Sequence, residues 1–443
     1  MDTQALDLVR QFAQPLRGAP EDYTPLLDMI GSAPLVLLGE ASHGTREFYN
    51  ARAELTRRLI SEKGFNAIAV EADWPDAYRV NRYIRGAGDG STAIASLEGF
   101  KRFPQWMWRN ADVLNLVGWL RDHNAALPPN RRVGFYGMDL YSLYSSMRAV
   151  IHYLDEVDPE AAQRARYRYS CFEHFGEDTQ TYGYAASFGI TESCRDQVVN
   201  QLVELQQRGW QYLETNGPEG EDEYFYAEQN ARLAKDAEEY YRTMFEGDAA
   251  SWNRRDQHMF DTLVALTEDL QRHKREPKIV VWAHNSHLGN AAATDRAQIG
   301  EWNVGQLTRE RFGHEAVLVG FSTYAGTVTA ASNWDGNAER KRVNPGMPGC
   351  YEALFHAVGI PDFLLRLRDV DELADALKTP RLERAIGVIY RPQTERISHY
   401  FYARLAEQFD ALIHFDETRA VEPLERTPLW ETGEAPETYP SGV

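Results

Sequence analysis

Cysteine is scarce: Cys171, Cys194 and Cys350 are the only three among 443 residues, scattered and without a CxxC pair. An odd, dispersed set argues against a disulfide framework, so three reduced and mostly buried thiols are expected. No apolar run approaches the roughly 18 residues a membrane helix needs. The opening Met1-Asp-Thr-Gln-Ala-Leu-Asp-Leu8 lacks the basic and apolar regions of a secretory leader, which points to the cytoplasm. Positive charge is in deficit: 47 Lys and Arg face 66 Asp and Glu, a net −19. A surface of that sign disfavours nucleic acid or an anionic membrane as a partner. Familiar catalytic motifs are also missing. There is no phosphate-binding GxxxxGK[ST] loop and no HExxH zinc helix, and Gly86-Ala-Gly88-Asp-Gly90 has the wrong spacing for a dinucleotide loop. A GxSxG nucleophile elbow fails twice, because Ser187 has Ala185 before it and Ser322 has Tyr324 after it where glycine is required.

What is present is a core. Hydrophobic residues make up 43% and aromatics 12%, which places the chain among globular proteins. At 443 residues it exceeds the usual size of one compact core, so a main domain with a large insertion is expected.

The chemistry-bearing stretch is Leu35-Val-Leu-Leu-Gly-Glu-Ala-Ser-His-Gly44. Leu35 to Leu38 read as a strand buried on both faces, and Gly39 breaks it. A helix follows from Thr45, with Phe48, Ala51, Leu55 and Leu59 at helical spacing and Ser42 as the candidate cap. Glu40 and His43 therefore fall on a strand-to-helix loop, where open α/β sheets bind ligands. Arg52 lies on the apolar stripe of that helix, so it needs a buried acid, with Glu40 or Glu71 the candidates for a bidentate contact.

The pattern repeats. A second strand, Asn66 to Glu71, ends in a carboxylate ahead of Asp73, Trp74 and Pro75, and a third, Arg132 to Met138, ends in Asp139. Between them, residues 91 to 124 read as helical, with Trp106, Val113, Val117 and Leu120 as a stripe. Residues 145 to 275 differ: they are charged, rich in Tyr and without a clear strand. Two long helices are expected there, Glu221 to Glu246 and Ser251 to His273, and the acidic run around Glu219 to Glu223 reads as a solvated face. The sheet resumes at Lys278 to His284, followed by Asn285-Ser286-His287. Further strands are expected at 316–322 and 327–330, paired as a hairpin around Ala325-Gly326, and at 363–367, 385–390 and 411–415. A tail rich in Pro and Glu from about Glu422 reads as partly unstructured.

The fold expected is α/β: a parallel or mixed central sheet flanked by helices, residues 1–144 and 276–443, with an all-helical lobe, 145–275, inserted and covering the sheet's carboxyl edge. Six groups fall at strand ends: Glu40, His43, Glu71, Asp139, His284 and His287. Singly, such residues cap helices or bind backbone; together they mark one rim and a shared site. Arg255 and Asp256, at the head of the second long helix, face the cleft if the lobe folds over it.

These residues resemble the erythromycin esterase family. The likeness rests on LLGEASHGT (Leu37 to Thr45), AVEADW (Ala69 to Trp74), RDQHM (Arg255 to Met259) and WAHNSHLGN (Trp282 to Asn290), with support from Pro348 to Glu352 and Phe409 to His414. The resemblance implies a hydrolase that opens a macrocyclic lactone or related ester with water and forms no acyl-enzyme. It implies that His43 is the general base and that Glu40, Arg52, Glu71, His284 and His287 complete the catalytic set. An imidazole titrating near neutrality suits a base, a carboxylate can orient it, and Arg52 or a protonated His284 or His287 could hold the oxyanion. Asp139, Arg255, Asp256 and Asn285 are the candidate substrate-binding residues. No cofactor is expected, although the same His and Glu residues could hold a divalent metal whose bound water attacks; Arg52 in their midst would repel it. The expected partner is a bulky small-molecule ester or lactone, and the negative surface would tolerate a cationic amino sugar. A protein that binds such a molecule without turnover is the remaining alternative.

Overall fold

The structure is a computed structural model that describes residues 2–87, 92–245, 247–368 and 370–433. Among the described residues eleven strands form: β1 (Gln14–Pro15), β2 (Leu35–Leu38), β3 (Ala67–Asp73), β4 (Gly134–Asp139), β5 (Ile279–Trp282), β6 (Ala316–Ala330), β7 (Glu339–Val343), β8 (Asp362–Arg366), β9 (Arg381–Arg384), β10 (Tyr400–Ala403) and β11 (Ala411–Thr418). Nine of them make a mixed sheet in the order β1-β8-β11-β6-β2-β5-β3-β4, with β7 paired to β6, while β9 and β10 pair separately. From β11 to β4 every neighbour is parallel; β8 and β1 continue the sheet antiparallel.

The continuous apolar runs of β2, β3 and β5 follow from burial on two sides. Leu35, Leu37, Ala67, Ala69, Ile279 and Val281 enter one hydrophobic cluster. Val36, Leu38, Ile68, Val70, Val280 and Trp282 enter the other. Each fully buried Leu, Val or Ile stabilises the sheet by roughly 1.5–3 kcal/mol. Register then does the positioning. Leu38, Trp282 and Val70 lie level across β2, β5 and β3, so the residues just beyond them, Glu40, His284 and Glu71, arrive at one edge.

Several expectations need correction. Thr45, not Ser42, occupies the N-cap position of the helix Arg46–Lys63, without a side-chain capping bond, and its hydroxyl is instead hydrogen-bonded to that of Ser42. Residues 92–124 do not form one helix: short turns precede Ala111–Ala125, and Trp106 sits in one of them, because Pro104 interrupts the run. Instead of starting at Glu221, the first long helix runs unbroken from Arg195 to Thr243, and the second spans Asp248–Arg272. Glu246 and the side chain of Glu219 lie outside the described residues. The expected hairpin at Ala325-Gly326 is one strand, β6, continuous through Gly326 at φ 134°. Ala385 to Tyr390 is not a strand; it makes only isolated bridges at Ile386 and Ile389. Within the tail expected to be partly unstructured, a turn of helix forms at Pro428–Thr432 and Trp430 is buried against the second cluster; 434–443 lie outside the described residues. Cys171 and Cys194 form a disulfide rather than staying reduced. The turn after the helix Pro159–Tyr169 brings them together across 23 positions, a proximity that spacing could not reveal. Cys350 alone is a free, buried thiol. Among the described residues no helix is long and apolar enough to cross a membrane.

Candidate active site

Gly39 explains how the first acid reaches the rim: a Cβ there would run into the side-chain amide of Asn285. Past it, Glu40 is buried and joins two partners. Its Oε1 takes the Nδ1 proton of His43 at 3.0 Å, and its Oε2 accepts from Arg52 Nη2 at 2.5 Å. Arg52 is 1% exposed and wedged against the rings of Tyr49 and Trp282, each 4.6 Å from the guanidinium. The contact is single rather than bidentate, and Arg52 Nε has no hydrogen-bond partner. Arg52, Glu40 and His43 thus form a line in which the guanidinium keeps the carboxylate charged and the carboxylate fixes the ring. His43 turns Nε2 the other way, 4.0 Å from Glu71 Oε1.

A second network gathers around Glu71. Its Oε2 accepts the backbone N–H of His284 at 2.9 Å, and its Oε1 accepts from Arg255 Nη2 at 2.8 Å. Arg255 grips Asp139 with two donors, Nε at 2.9 Å and Nη2 at 2.7 Å, and donates Nη1 to His287 Nε2 at 3.1 Å. Asp256 takes His287 Nδ1–H at 2.9 Å and the Val304 N–H at 3.0 Å. Burial would raise the Glu71 carboxyl, but His287, His43 and Arg255 outweigh it and hold the group well below the usual range. Burial is likewise outweighed at Asp139, by Arg255, which lowers it. For His287, burial lowers proton affinity, yet Asp256 and Glu71 win and raise it. A guanidinium can only donate, so the Arg255 contact requires a neutral His287; the ring gains its second proton only when Arg255 leaves Nε2.

His284 is placed differently. Burial, then the neighbouring His43, pushes its pKa well below the ordinary value. Its ring lies 4.8 Å from that of His43, tilted by 46°.

His43, Glu71, Asp139, Arg255, His284 and His287 all line one cavity of about 500 Å³, shared with Phe100, Phe103, Trp108, Tyr141, Trp252 and Trp334. Three sequence expectations change. Arg52 lies behind Glu40 and does not line the cavity, so it cannot hold an oxyanion there. Asp256 also sits a layer back, orienting His287 rather than touching substrate. Asn285 points into the sheet, exchanging hydrogen bonds with the backbone of Phe321, its amide bridging to β6 past the end of β2, which lies between β5 and β6.

Sequence reasoning missed Ser286, Trp252, Tyr141, Arg102, Asp73 and Asp76, all on the cavity wall. Trp252 stacks on His287 at 4.5 Å. Tyr141 receives both Arg102 and Arg255 on its ring, at 4.4 and 4.9 Å. Asp73 pairs with Arg102 at 3.0 Å, and burial together with Asp73 pushes Asp76 up to about 7. Asp73 carried a signal, its position beyond the second strand; Arg102 and Asp76 carried none.

The donor set does not fit a divalent metal as arranged. The Arg255 guanidinium already occupies His287 Nε2, Glu71 and Asp139, a cation standing where a metal would need those lone pairs. Among the described residues, no group of three or more His, Cys, Asp or Glu side chains is disposed to hold a metal ion.

Comparison with known proteins identifies the family. A family model described as erythromycin esterase matches residues 60–418. Erythromycin esterase type II of Escherichia coli is 21% identical over 423 residues, covering 91% of this chain and 94% of that protein. Erythromycin esterase type I of the same species is 22% identical over 327 residues, 70% of this chain and 75% of that one. Among solved structures, a succinoglycan biosynthesis protein superposes with a TM-score of 0.77 at 23% identity, over 96% of this chain and 99% of that one. A mutant erythromycin esterase, EreC, in its open conformation gives 0.68 at 17% identity, over 93% and 98%. At such identities the structural likeness concerns the fold.

Proposed function

The chain belongs to the erythromycin esterase family and is a hydrolase of that family's type, and on that premise we propose that it cleaves a carboxylic ester or lactone by direct attack of water activated by His43. The observation that carries this reading is the line Arg52–Glu40–His43 ending at a cavity wall. Because Glu40 holds the Nδ1 proton, the neutral ring offers Nε2 as a base. Once Nε2 takes a proton from water, the imidazolium lies between Glu40 and the Glu71 carboxylate at 4.0 Å, and both lower its energy. The hydroxide adds to the ester carbonyl, the tetrahedral intermediate collapses, and the proton on His43 passes to the leaving alkoxide. Arg255 is the cation on the cavity wall best placed for the developing oxyanion, a role that Arg52 cannot fill.

The walls describe the substrate. Seven Phe, Tyr and Trp rings, Phe401 among them, and a volume of about 500 Å³ suit a bulky, largely apolar molecule, and Asp73 and Asp76 suit a cationic substituent on it. A macrolide-type lactone meets these terms, so the test is a panel of macrolides and simpler bulky esters, read by the mass gain of one water. Product formed by the wild type and abolished in His43→Ala supports the reading. Full activity in His43→Ala removes the base. Loss on chelation with recovery on adding zinc or manganese replaces the reading with metal-assisted attack. Ligand affinity retained by His43→Ala, with no product from the wild type, makes the protein a binding module.

A further inference from the structure

We propose that Ser286 is a positioning residue that holds His284 as the neutral Nε2–H tautomer, so that the ring packed against His43 stays uncharged while His43 accepts a proton. His284 Nδ1 has two neighbours, the backbone N–H of Ser286 at 3.2 Å and the Ser286 hydroxyl at 2.8 Å. A backbone N–H can only donate, so Nδ1 must present its lone pair, and the ring proton is forced onto Nε2. An imidazolium, protonated at both nitrogens, cannot accept that bond. The lock is local in origin: His284 caps the short turn Asn285–Leu288 with its own side chain, which few residue types other than Ser, Thr, Asp and Asn do.

The arrangement matters because His284 Nε2 is buried without a hydrogen-bond partner and the ring lies 4.8 Å from that of His43. Two imidazoles this close cannot both be charged without mutual repulsion in a dry site. The charged and titratable groups facing His284 are His43, Glu71 and His287. Glu71 and the Ala41 backbone draw a proton onto the ring; burial, the two histidines and the Ser286 donors oppose it and prevail. Of two adjacent rings with similar intrinsic proton affinity, one is therefore reserved as the base and the other as its neutral support. The same contact also resembles a Ser–His nucleophile pair, since Ser286 lines the cavity. That reading fails on the acceptor: a lone pair shared with a backbone N–H, on a ring whose pKa is depressed, is a poor base.

The inference rests on His43 as the base, and the experiment separates the two. With histidine labelled by nitrogen-15 in the full chain, the His284 signals, assigned by their loss in His284→Gln, are expected to show the neutral Nε2–H pattern across pH 5–9. Ser286→Ala is expected to let a charged His284 population appear on the acid side, to lower kcat roughly fivefold, the value of one ordinary hydrogen bond, and to leave KM unchanged. The acid limb of its pH profile should steepen as a second imidazole titrates. Ser286→Thr, which keeps the hydroxyl, should restore both spectrum and rate. A wild-type His284 that is an imidazolium or the Nδ1–H tautomer at pH 7 overturns the proposal even if His43→Ala is inactive. So does a Ser286→Ala enzyme whose spectrum and pH profile match the wild type. An acyl group trapped on Ser286, seen by mass spectrometry, would overturn it in favour of covalent catalysis.

Discussion

The two halves of the site are built on different principles. Arg52, Glu40 and His43 come from one β-turn-α unit, twelve residues from end to end, and each contact lies within or just before a single helix. Glu71, Asp139, Arg255, Asp256 and His287 come from three strand ends and a long helix, with partners 184 and 116 positions apart for Arg255 alone. The first half fixes the ring of His43, the proposed base. The second holds charge: three buried carboxylates around a guanidinium and an imidazole. A local unit survives damage elsewhere, whereas a network closed by one cation depends on that cation.

Breaking the first half should cost the most activity and little stability. His43→Ala is expected to lose about 10²–10⁴-fold in kcat/KM, the usual contribution of a general base, with an almost unchanged melting temperature. Hydrolysis rate on the best substrate of the panel and thermal unfolding together check this; a large fall in Tm would mean that the ring is structural.

Breaking the second half should cost stability as well as activity. Arg255→Met leaves Glu71 and Asp139 buried without their shared partner, and removing one member of such a group costs about 3–5 kcal/mol. Its pH signature has a definite sign. Both carboxyls are held below their unfolded values, so they contribute stability that is fully present above pH ~4 and is lost as pH falls through the folded pKa values. In Arg255→Met the shift should reverse, and stability should then decline as pH rises above ~4. Chemical unfolding of both proteins between pH 4 and 8 measures the two slopes.

A smaller effect tests the boundary between the halves. Asn285 bonds the Phe321 backbone and does not line the cavity, so Asn285→Ala should cost about 1–3 kcal/mol of stability, leaving two backbone groups unpaired, with KM unchanged. A raised KM would return Asn285 to the substrate-binding role. Smallest of all is Asp76→Asn. With its carboxyl near 7, above the unfolded ~4, Asp76 stabilises the fold at low pH and loses that contribution as pH rises from about 4 to 7. The amide should therefore be more stable than wild type at pH 8 by on the order of 1 kcal/mol, and should weaken binding of cationic esters more than neutral ones.

The comparison also explains what could be read from residue order. Arg52 was legible because a charge on an apolar stripe needs a partner, and its partner was twelve residues away. Even so, its role shifted from oxyanion contact to support, since periodicity gives the face of a helix but not the depth of a side chain. Asp256 and Asn285 moved one layer back for the same reason. Arg102 gave no signal, because nothing in a turn between helices marks which wall it will form, and Asp76, in the first turn of the helix Trp74–Ile84, reads as an ordinary acid at a helix start. Cys171 and Cys194 were misjudged because a pairing distance is a tertiary quantity. The hairpin expected at Ala325-Gly326 failed because glycine permits a turn without requiring one; pairing with both β7 and β11 kept β6 extended.

By itself the sequence determined the doubly buried strands, the acids and imidazoles at their ends, and the family, because strand periodicity and the step from apolar run to glycine and carboxylate are local. The tertiary structure alone decided which of these groups meet, which face the cavity, and which proton each ring carries. Those depend on register across β2, β5 and β3 and on one arginine delivered by a distant helix, and hydrogen-bond direction exists only once donor and acceptor have been brought together.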